Sequence, residues 1–308
     1  VVIADDIQQK EIHGAYAIDL ENLSKFYGKV RGIENISLKI DKGEIFGFIG
    51  PNGAGKSTTI RILMNLIFPT GGSARILGLD VIKQTREIKK ATGYIPADAN
   101  AYPSMEVREF LEYCARFYKK PGIGTRIEEL SKLFEIDLKR KVEDLSSGNK
   151  KKVSIVQSLI HSPDLLIMDE PTTGLDPLVK ALFFDLLRSE NRRGMTIFFS
   201  SHILSEVQLL CKRVAIIKEG RIIQLEDIES LRKKQLKKVL VEFSGAANDK
   251  AFDIPGVVNM ITGPENVITF LYSGDLSTII DLLSGKKINN LIIEEPSLDE
   301  IFMHYYRI

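Results

Sequence analysis

The chain is 308 residues long and 44% hydrophobic, more than one typical domain holds and enough for two ordinary buried cores. Its 42 lysines and arginines balance 41 aspartates and glutamates to a formal net charge of +1, so no global field selects nucleic acid or an anionic membrane. Two isolated cysteines, Cys114 and Cys211, argue against a disulfide framework or a cysteine metal site and fit a reducing cytosol; no apolar run reaches the roughly 18 to 20 residues that span a bilayer, and the first residues carry no signal-peptide core.

In chain order, residues 1–16 read as a polar, weakly patterned tail. Residues 17–26 and 30–40 read as two strands around the turn Tyr27-Gly28-Lys29. Tyr27 offers a π face on which a purine base can stack, against the plainer reading of a surface turn tyrosine. An apolar run, residues 44–49, then leads into Gly50-Pro51-Asn52-Gly53-Ala54-Gly55-Lys56-Ser57-Thr58, and a helical pattern follows over 59–67. Strand, glycine-rich loop and helix in that order make a phosphate cradle. Gly50, Gly53 and Gly55 permit a backbone path closed to residues with a Cβ, so successive N–H groups, those of Asn52 and Thr58 among them, can face phosphate oxygens at a helix N-terminus. Lys56 reaches the terminal phosphates of a nucleotide, and the Ser57 hydroxyl is a ligand for Mg²⁺.

A turn at 69–73, a strand over 74–77, a helix over 84–90 and a strand over 93–95 follow, then a loop over 96–104. Two amphipathic helices, 105–119 and 126–136, are joined by Pro121-Gly122-Ile123-Gly124 and interrupt the strand–helix alternation, so residues from about 98 to 160 form a helical subdomain hung on the nucleotide core. Its aromatics, Phe110, Tyr113, Phe117 and Tyr118, read as its core. Leu145-Ser146-Ser147-Gly148-Asn149 precedes a helix over 150–160; alone it is only a capped helix, though one whose N-terminus suits an anion.

Residues 164–170 read as a buried strand, its unbroken apolar run at 165–168 ending in Asp169 and Glu170, at the sheet edge where open α/β sheets bind ligands. Asp169 suits Mg²⁺, and Glu170 suits a general base that polarises an attacking water. After the turn Pro171-Thr172-Thr173-Gly174-Leu175-Asp176-Pro177 come a helix over 178–192 and a strand over 196–200, with His202 just beyond it at the same edge. A helix over 203–213, a hairpin over 214–223 and a helix over 226–234 close this region. From about residue 236 the texture changes to short strands at 238–243, 257–262, 267–273 and 289–294 with helices at 276–283 and 297–306, a small α+β domain of ferredoxin-like order. The basic cluster Arg232, Lys233, Lys234, Lys237 and Lys238 before it reads as a solvated linker face, and no nucleic-acid partner is expected.

In order and spacing these motifs resemble the ATP-binding subunits of ABC transporters over residues 17–231. Residues 50–58 match the Walker A loop, 145–149 the signature motif, 165–170 the Walker B strand, Gly174-Leu175-Asp176 the D-loop and His202 the switch histidine. Glu295-Pro296-Ser297-Leu298-Asp299-Glu300-Ile301-Phe302 with Tyr305-Tyr306 resembles the tail of the drug, antibiotic and lipid exporter branch. The resemblance implies an α/β fold: a P-loop NTPase core over 17–235 with an antiparallel β subdomain and the helical subdomain, plus the C-terminal α+β domain over 236–308. It implies ATP and Mg²⁺ as cofactors, Lys56, Glu170 and His202 in catalysis, and a head-to-tail dimer in which Ser146 and Gly148 of one nucleotide-binding subunit complete the cradle of the other. It also implies transmembrane transporter subunits as partners and a cytoplasmic position, peripheral on the inner face of the cell membrane.

Two departures from the family pattern bear on mechanism. Ala97, followed by Asp98, stands where the family commonly has glutamine, and Asp98 is the residue able to take that place as a Mg²⁺ ligand. Ser147-Gly148-Asn149 replaces Gly-Gly-Gln, and Ser147 lacks the freedom of glycine at positive φ. The functional alternatives are an importer ATPase, a soluble ABC-type mechanical ATPase acting on nucleic acid or ribosomes, which the single cradle and the lack of heptads disfavour, and a regulatory module that holds nucleotide without hydrolysing it.

Overall fold

The computed structural model describes residues 16–98, 102–233, 237–245, 252–294 and 296. The chain divides into two compact units, residues 1–225 and 226–308. The predicted tail lies outside the described residues except for Tyr16, which is already strand, and so does the predicted helix at 297–306.

In the first unit, β1 (Tyr16–Tyr27) and β2 (Val30–Asp41) pair antiparallel from Tyr27↔Val30 to Tyr16↔Asp41, as the sequence predicts. With β4 (Gly71–Ile76) and β5 (Leu79–Asp80) they form a four-stranded sheet in the order β2-β1-β4-β5. The second sheet has six strands in the order β10-β9-β3-β8-β7-β6. Its members are β3 (Ile45–Ile49), β6 (Thr92–Ile95), β7 (Leu165–Asp169), β8 (Thr196–Ser201), β9 (Arg213–Lys218) and β10 (Arg221–Asp227). The five from β9 to β6 run parallel, so β3, β7 and β8 are buried along their whole length and show no polar alternation.

Helix α1 (Lys56–Leu63) lies in the core between the two sheets: Ile60, Ile62 and Leu63 pack with Ile18, Leu20 and Leu38 from one and Phe46, Phe48 and Phe198 from the other. Each such side chain contributes about 1.5–3 kcal/mol on burial. The helix begins at Lys56, earlier than predicted, because Gly55 caps it, and ends before Asn65, which takes a left-handed φ of 48°. Helix α2 (Thr85–Ala91) precedes β6.

The helical subdomain consists of α3 (Val107–Ala115), α4 (Ile123–Leu133) and α5 (Ser147–Leu159). Its aromatics do not all form its core. α3 buries Val107, Phe110 and Leu111, one helical face, which leaves Tyr113 37% exposed and Phe117, beyond the helix end, 65% exposed. These two stack edge to face with each other, and Tyr113 does so with Tyr102. Tyr118 is half-buried and stacks on His161. Two further helices, α6 (Pro177–Arg192) and α7 (Leu204–Leu210), flank β8 in the chain; α7 is shorter than the predicted 203–213.

The second unit begins at the end of β10 with α8 (Ile228–Lys233). Strands β11 (Lys237–Phe243), β12 (Val257–Thr262), β13 (Val267–Tyr272) and β14 (Ile288–Glu294) form an antiparallel sheet in the order β12-β13-β11-β14, the strand order of a ferredoxin-like sheet. Helix α9 (Leu276–Leu283) buries Ile279 and Leu283 against Val239, Val241, Phe252 and Phe270.

Candidate functional site

The cradle joins the end of β3 to the start of α1. Gly55 has φ 109°, and a Cβ there would lie 2.7 Å from Ile33 Cγ2 and 2.9 Å from the Gly32 carbonyl oxygen. Gly50 is required for space: a Cβ would lie 2.3 Å from the Ile217 carbonyl oxygen. The loop can therefore hold only backbone at these points, and the first N–H groups of α1 have no acceptor within the helix. Asn52 and Gly53 are exposed, and Ser57 and Thr58 are half-buried beside them. The Lys56 ammonium, 5% exposed, donates to the carbonyls of Gly50 at 2.7 Å and Pro51 at 3.1 Å and lies 3.3 Å from Glu170 Oε1. N–H groups, a cation and a hydroxyl around a path closed to side chains form a donor set that fits a nucleotide phosphate.

The acids stand at the end of β7. Asp169 is 2% exposed and accepts from the Ser200 hydroxyl on β8 at 2.9 Å. Its charge adds to burial in pushing the Tyr94 phenol up to about 12. Glu170 follows with a left-handed φ of 46°, and its N–H donates to the Ser200 carbonyl at 3.2 Å. That turn takes the side chain away from the strand, so that Oε1 faces Lys56 and Oε2 lies 3.2 Å from His202 Nδ1. The structure thus brings together Lys56, Glu170 and His202, three residues widely separated in sequence.

Ser146 caps α5, its hydroxyl accepting from the Asn149 N–H at 3.3 Å. Ser147, Gly148 and Asn149 are the first turn of that helix and do not precede it, as the sequence reading had them. The doubt over Ser147 falls with this: a first-turn helical residue needs no positive φ. Gly148 is instead a point of close approach, where a Cβ would lie 3.0 Å from the Gly174 carbonyl oxygen. Ser146 is exposed; its hydroxyl accepts from the Asn149 N–H and its carbonyl from the Lys150 N–H at 2.9 Å, both within α5.

Tyr27 is 48% exposed, and a Cβ on Gly32 would meet both its ring, at 2.9 Å, and the Thr58 methyl, at 3.3 Å, so the ring borders the cradle. Asp98 is exposed, and no group of three or more acids, histidines or cysteines able to hold a metal occurs among the described residues. Asp98 and Asp169 both act on the buried Lys151 ammonium, so the two carboxylates face the same cation.

Two residues at the site escaped the sequence reading. Ser200 is a plain strand residue until β7 and β8 pair in register at Asp169↔Ser200. Lys151 is one of three successive lysines, yet it is 3% exposed and donates to the carbonyls of Pro96 and Ala97, both at 2.9 Å. Burial pulls its ammonium down to about 8 against the attraction of Asp169, Asp98 and Glu170. The helical period does not single it out: Lys152, three residues before Ile155 and seven before Leu159, shares that face as well as Lys151 does, and only Lys150 lies off it.

Comparison with known proteins agrees with this geometry. A family model described as ABC transporter matches residues 33–173. The linearmycin resistance ATP-binding protein LnrL of Bacillus subtilis is 30% identical over 93% of this chain and 97% of its own length. The bacitracin transport ATP-binding protein BcrA of Bacillus licheniformis is 34% identical over 93% of this chain and 96% of its own. Among solved structures, the dimeric post-hydrolysis ATP-binding cassette MJ0796 bound to ADP and Pi superposes with a TM-score of 0.62 at 26% identity, covering 68% of this chain and 98% of that one.

Proposed function

This chain belongs to the ATP-binding subunits of ABC transporters and is an ATPase, and we propose that it powers export through separate transmembrane subunits at the inner face of the cell membrane. The observation that carries the catalytic reading is Glu170 lying between Lys56 and His202 at the cradle's edge, within 3.3 and 3.2 Å. The loop N–H groups bind the phosphates, and Lys56 exchanges its carbonyl partners for the terminal phosphate oxygens. Tyr27 borders the base. Glu170 takes the proton of the attacking water, and His202 holds the carboxylate and the terminal phosphate in line. Ser57 and Asp169 would hold Mg²⁺, with Asp98 as a further candidate ligand, and the ion would neutralise phosphate charge.

The cradle is half of a site. Ser146, exposed at the N-terminus of α5, is free to approach the triphosphate bound by a second copy, with the Gly148 N–H beside it. ATP then joins the two subunits, and its hydrolysis removes the joint. The dimeric cassette bound to ADP and Pi supports that arrangement. Export is favoured by the resemblance to proteins named for linearmycin resistance and bacitracin transport. No helix among the described residues is long and apolar enough to cross a membrane, which fits a pathway built by other chains.

The test is reconstitution in vesicles with the membrane protein encoded beside this chain. ATP supplied on the side of this subunit should drive solute away from that side, and Lys56→Ala should abolish both transport and phosphate release. Solute movement toward the ATP side would make the chain an importer subunit.

A further inference from the structure

Glu206 sits in the first turn of α7 and is 6% exposed, a buried carboxylate with no part in the chemistry above. Both its oxygens are engaged. Oε2 accepts from the Thr172 hydroxyl at 2.6 Å and lies 3.5 Å from the Ser201 hydroxyl, while Oε1 accepts from the Lys180 ammonium at 3.0 Å. The donors come from three segments: the turn after β7, the first turns of α6 and the end of β8. Hydrogen bonds to an ionised acceptor are about twice as strong as neutral ones, so this carboxylate is a strong local tie among those segments.

Two of its partners stand next to the hydrolytic pair. Thr172, 2% exposed, follows Glu170 by two residues, and Ser201, also 2% exposed, directly precedes His202. Glu170 holds a left-handed φ, a conformation that a residue with a Cβ keeps only where its surroundings over-determine it. The Glu170 N–H bond to Ser200 is one such constraint, and the Thr172 bond to Glu206 is the second.

We propose that Glu206 is a positioning residue for hydrolysis, a single carboxylate that ties the turn carrying Glu170 to the turn carrying His202 so that base and imidazole meet at 3.2 Å. Lys180 balances its charge, which lets it stay buried at the junction. The same bond links the hydrolytic pair to the 171–176 turn, whose Gly174 approaches Gly148 on the helix proposed to face the second subunit. The inference rests on the roles given above to Glu170 and His202.

The experiment measures phosphate release and ATP binding for Glu206→Gln and Thr172→Val, each alone and combined with His202→Ala. Both single variants should lower kcat, Glu206→Gln by about 10²-fold as for a reacting group displaced by an ångström, with ATP affinity little changed. In the His202→Ala background the same substitutions should cost little more, because they act through the contact already lost. Wild-type turnover in the single variants, or full additivity with His202→Ala, overturns the proposal. If Glu206→Gln fails to fold, Thr172→Val decides, since it keeps the carboxylate and the side-chain shape and removes only the donor. If His202→Ala and Glu170→Gln themselves hydrolyse ATP normally, the site assignment fails and takes this proposal with it; if they are impaired and the Glu206 and Thr172 variants are not, only this proposal falls.

Discussion

Replacing Lys151 with methionine separates stability from turnover at the junction of the helical subdomain and the site. The substitution keeps the stem and removes the buried ammonium with its two bonds to Pro96 and Ala97. Each hydrogen bond from a charged donor contributes about 1.5–3 kcal/mol. Against this, burial lowers the ammonium from 10.5 to about 8, so holding the charge there costs on the order of 3 kcal/mol at about 1.4 per unit. Two such bonds outweigh that cost by about 0–3 kcal/mol, so Lys151→Met should lower unfolding free energy at pH 7 by no more than about 3 kcal/mol. The sign with pH follows from the direction of the shift. The folded chain releases this proton near pH 8 and the unfolded chain only near 10.5, so the penalty is constant below pH 8 and relieved above it. Wild type should therefore gain stability relative to the variant between those values. Turnover should fall about tenfold with little change in ATP affinity, because loop 96–98 loses its tether beside Asp169 and Glu170. Urea unfolding at pH 7 and pH 9.5 with a phosphate-release assay checks both halves. Wild-type turnover, or identical changes in stability with pH, would refute the reasoning.

Other outcomes follow from the same geometry. Asp98→Ala should raise the Mg²⁺ concentration needed for half-maximal hydrolysis; an unchanged requirement and rate remove Asp98 from the metal site. Tyr27→Ala should weaken ATP binding by about 1–3 kcal/mol, the usual worth of a stacked base, and a nucleotide titration with no change would return Tyr27 to a surface turn. His161 is 1% exposed and stacks on Tyr118 at 3.8 Å; the Thr92 backbone lies near, but neither ring nitrogen has a hydrogen-bond partner among the described residues. Burial, with the nearby Lys120 charge, lowers its pKa from 6.5 to about 4, so the folded ring stays neutral where the unfolded one takes a proton. That stability, on the order of 3 kcal/mol, is lost as pH falls from 6.5 to 4, and His161→Phe should flatten this part of the melting profile; a parallel profile would contradict it.

What the sequence disclosed was what local pattern encodes. The cradle was legible because Gly50, Gly53, Gly55 and Lys56 sit at fixed offsets between a strand and a helix, and β7 because an apolar run ends in two acids. The roles of Ser200, Lys151 and Glu206 were not, because each depends on a partner from another element brought close only by sheet register or subdomain packing. Tyr113 and Phe117 show the limit of composition: aromatics in an amphipathic segment were read as core, but helical phase turns Tyr113 outward and the helix ends before Phe117, so Phe110 alone of the three is buried. At Ser147 the error was one of helix boundary, since the helix starts inside the motif, at its third residue.

The central claim, a cradle completed by a second copy, is tested most directly by sedimentation with ATP and Mg²⁺. Glu170→Gln should bind ATP, lose about 10²- to 10⁴-fold in turnover and sediment as a dimer. Glu170→Gln combined with Ser146→Arg should bind as much ATP and remain a monomer. Dimers in both, or unimpaired hydrolysis in Glu170→Gln, would contradict the account.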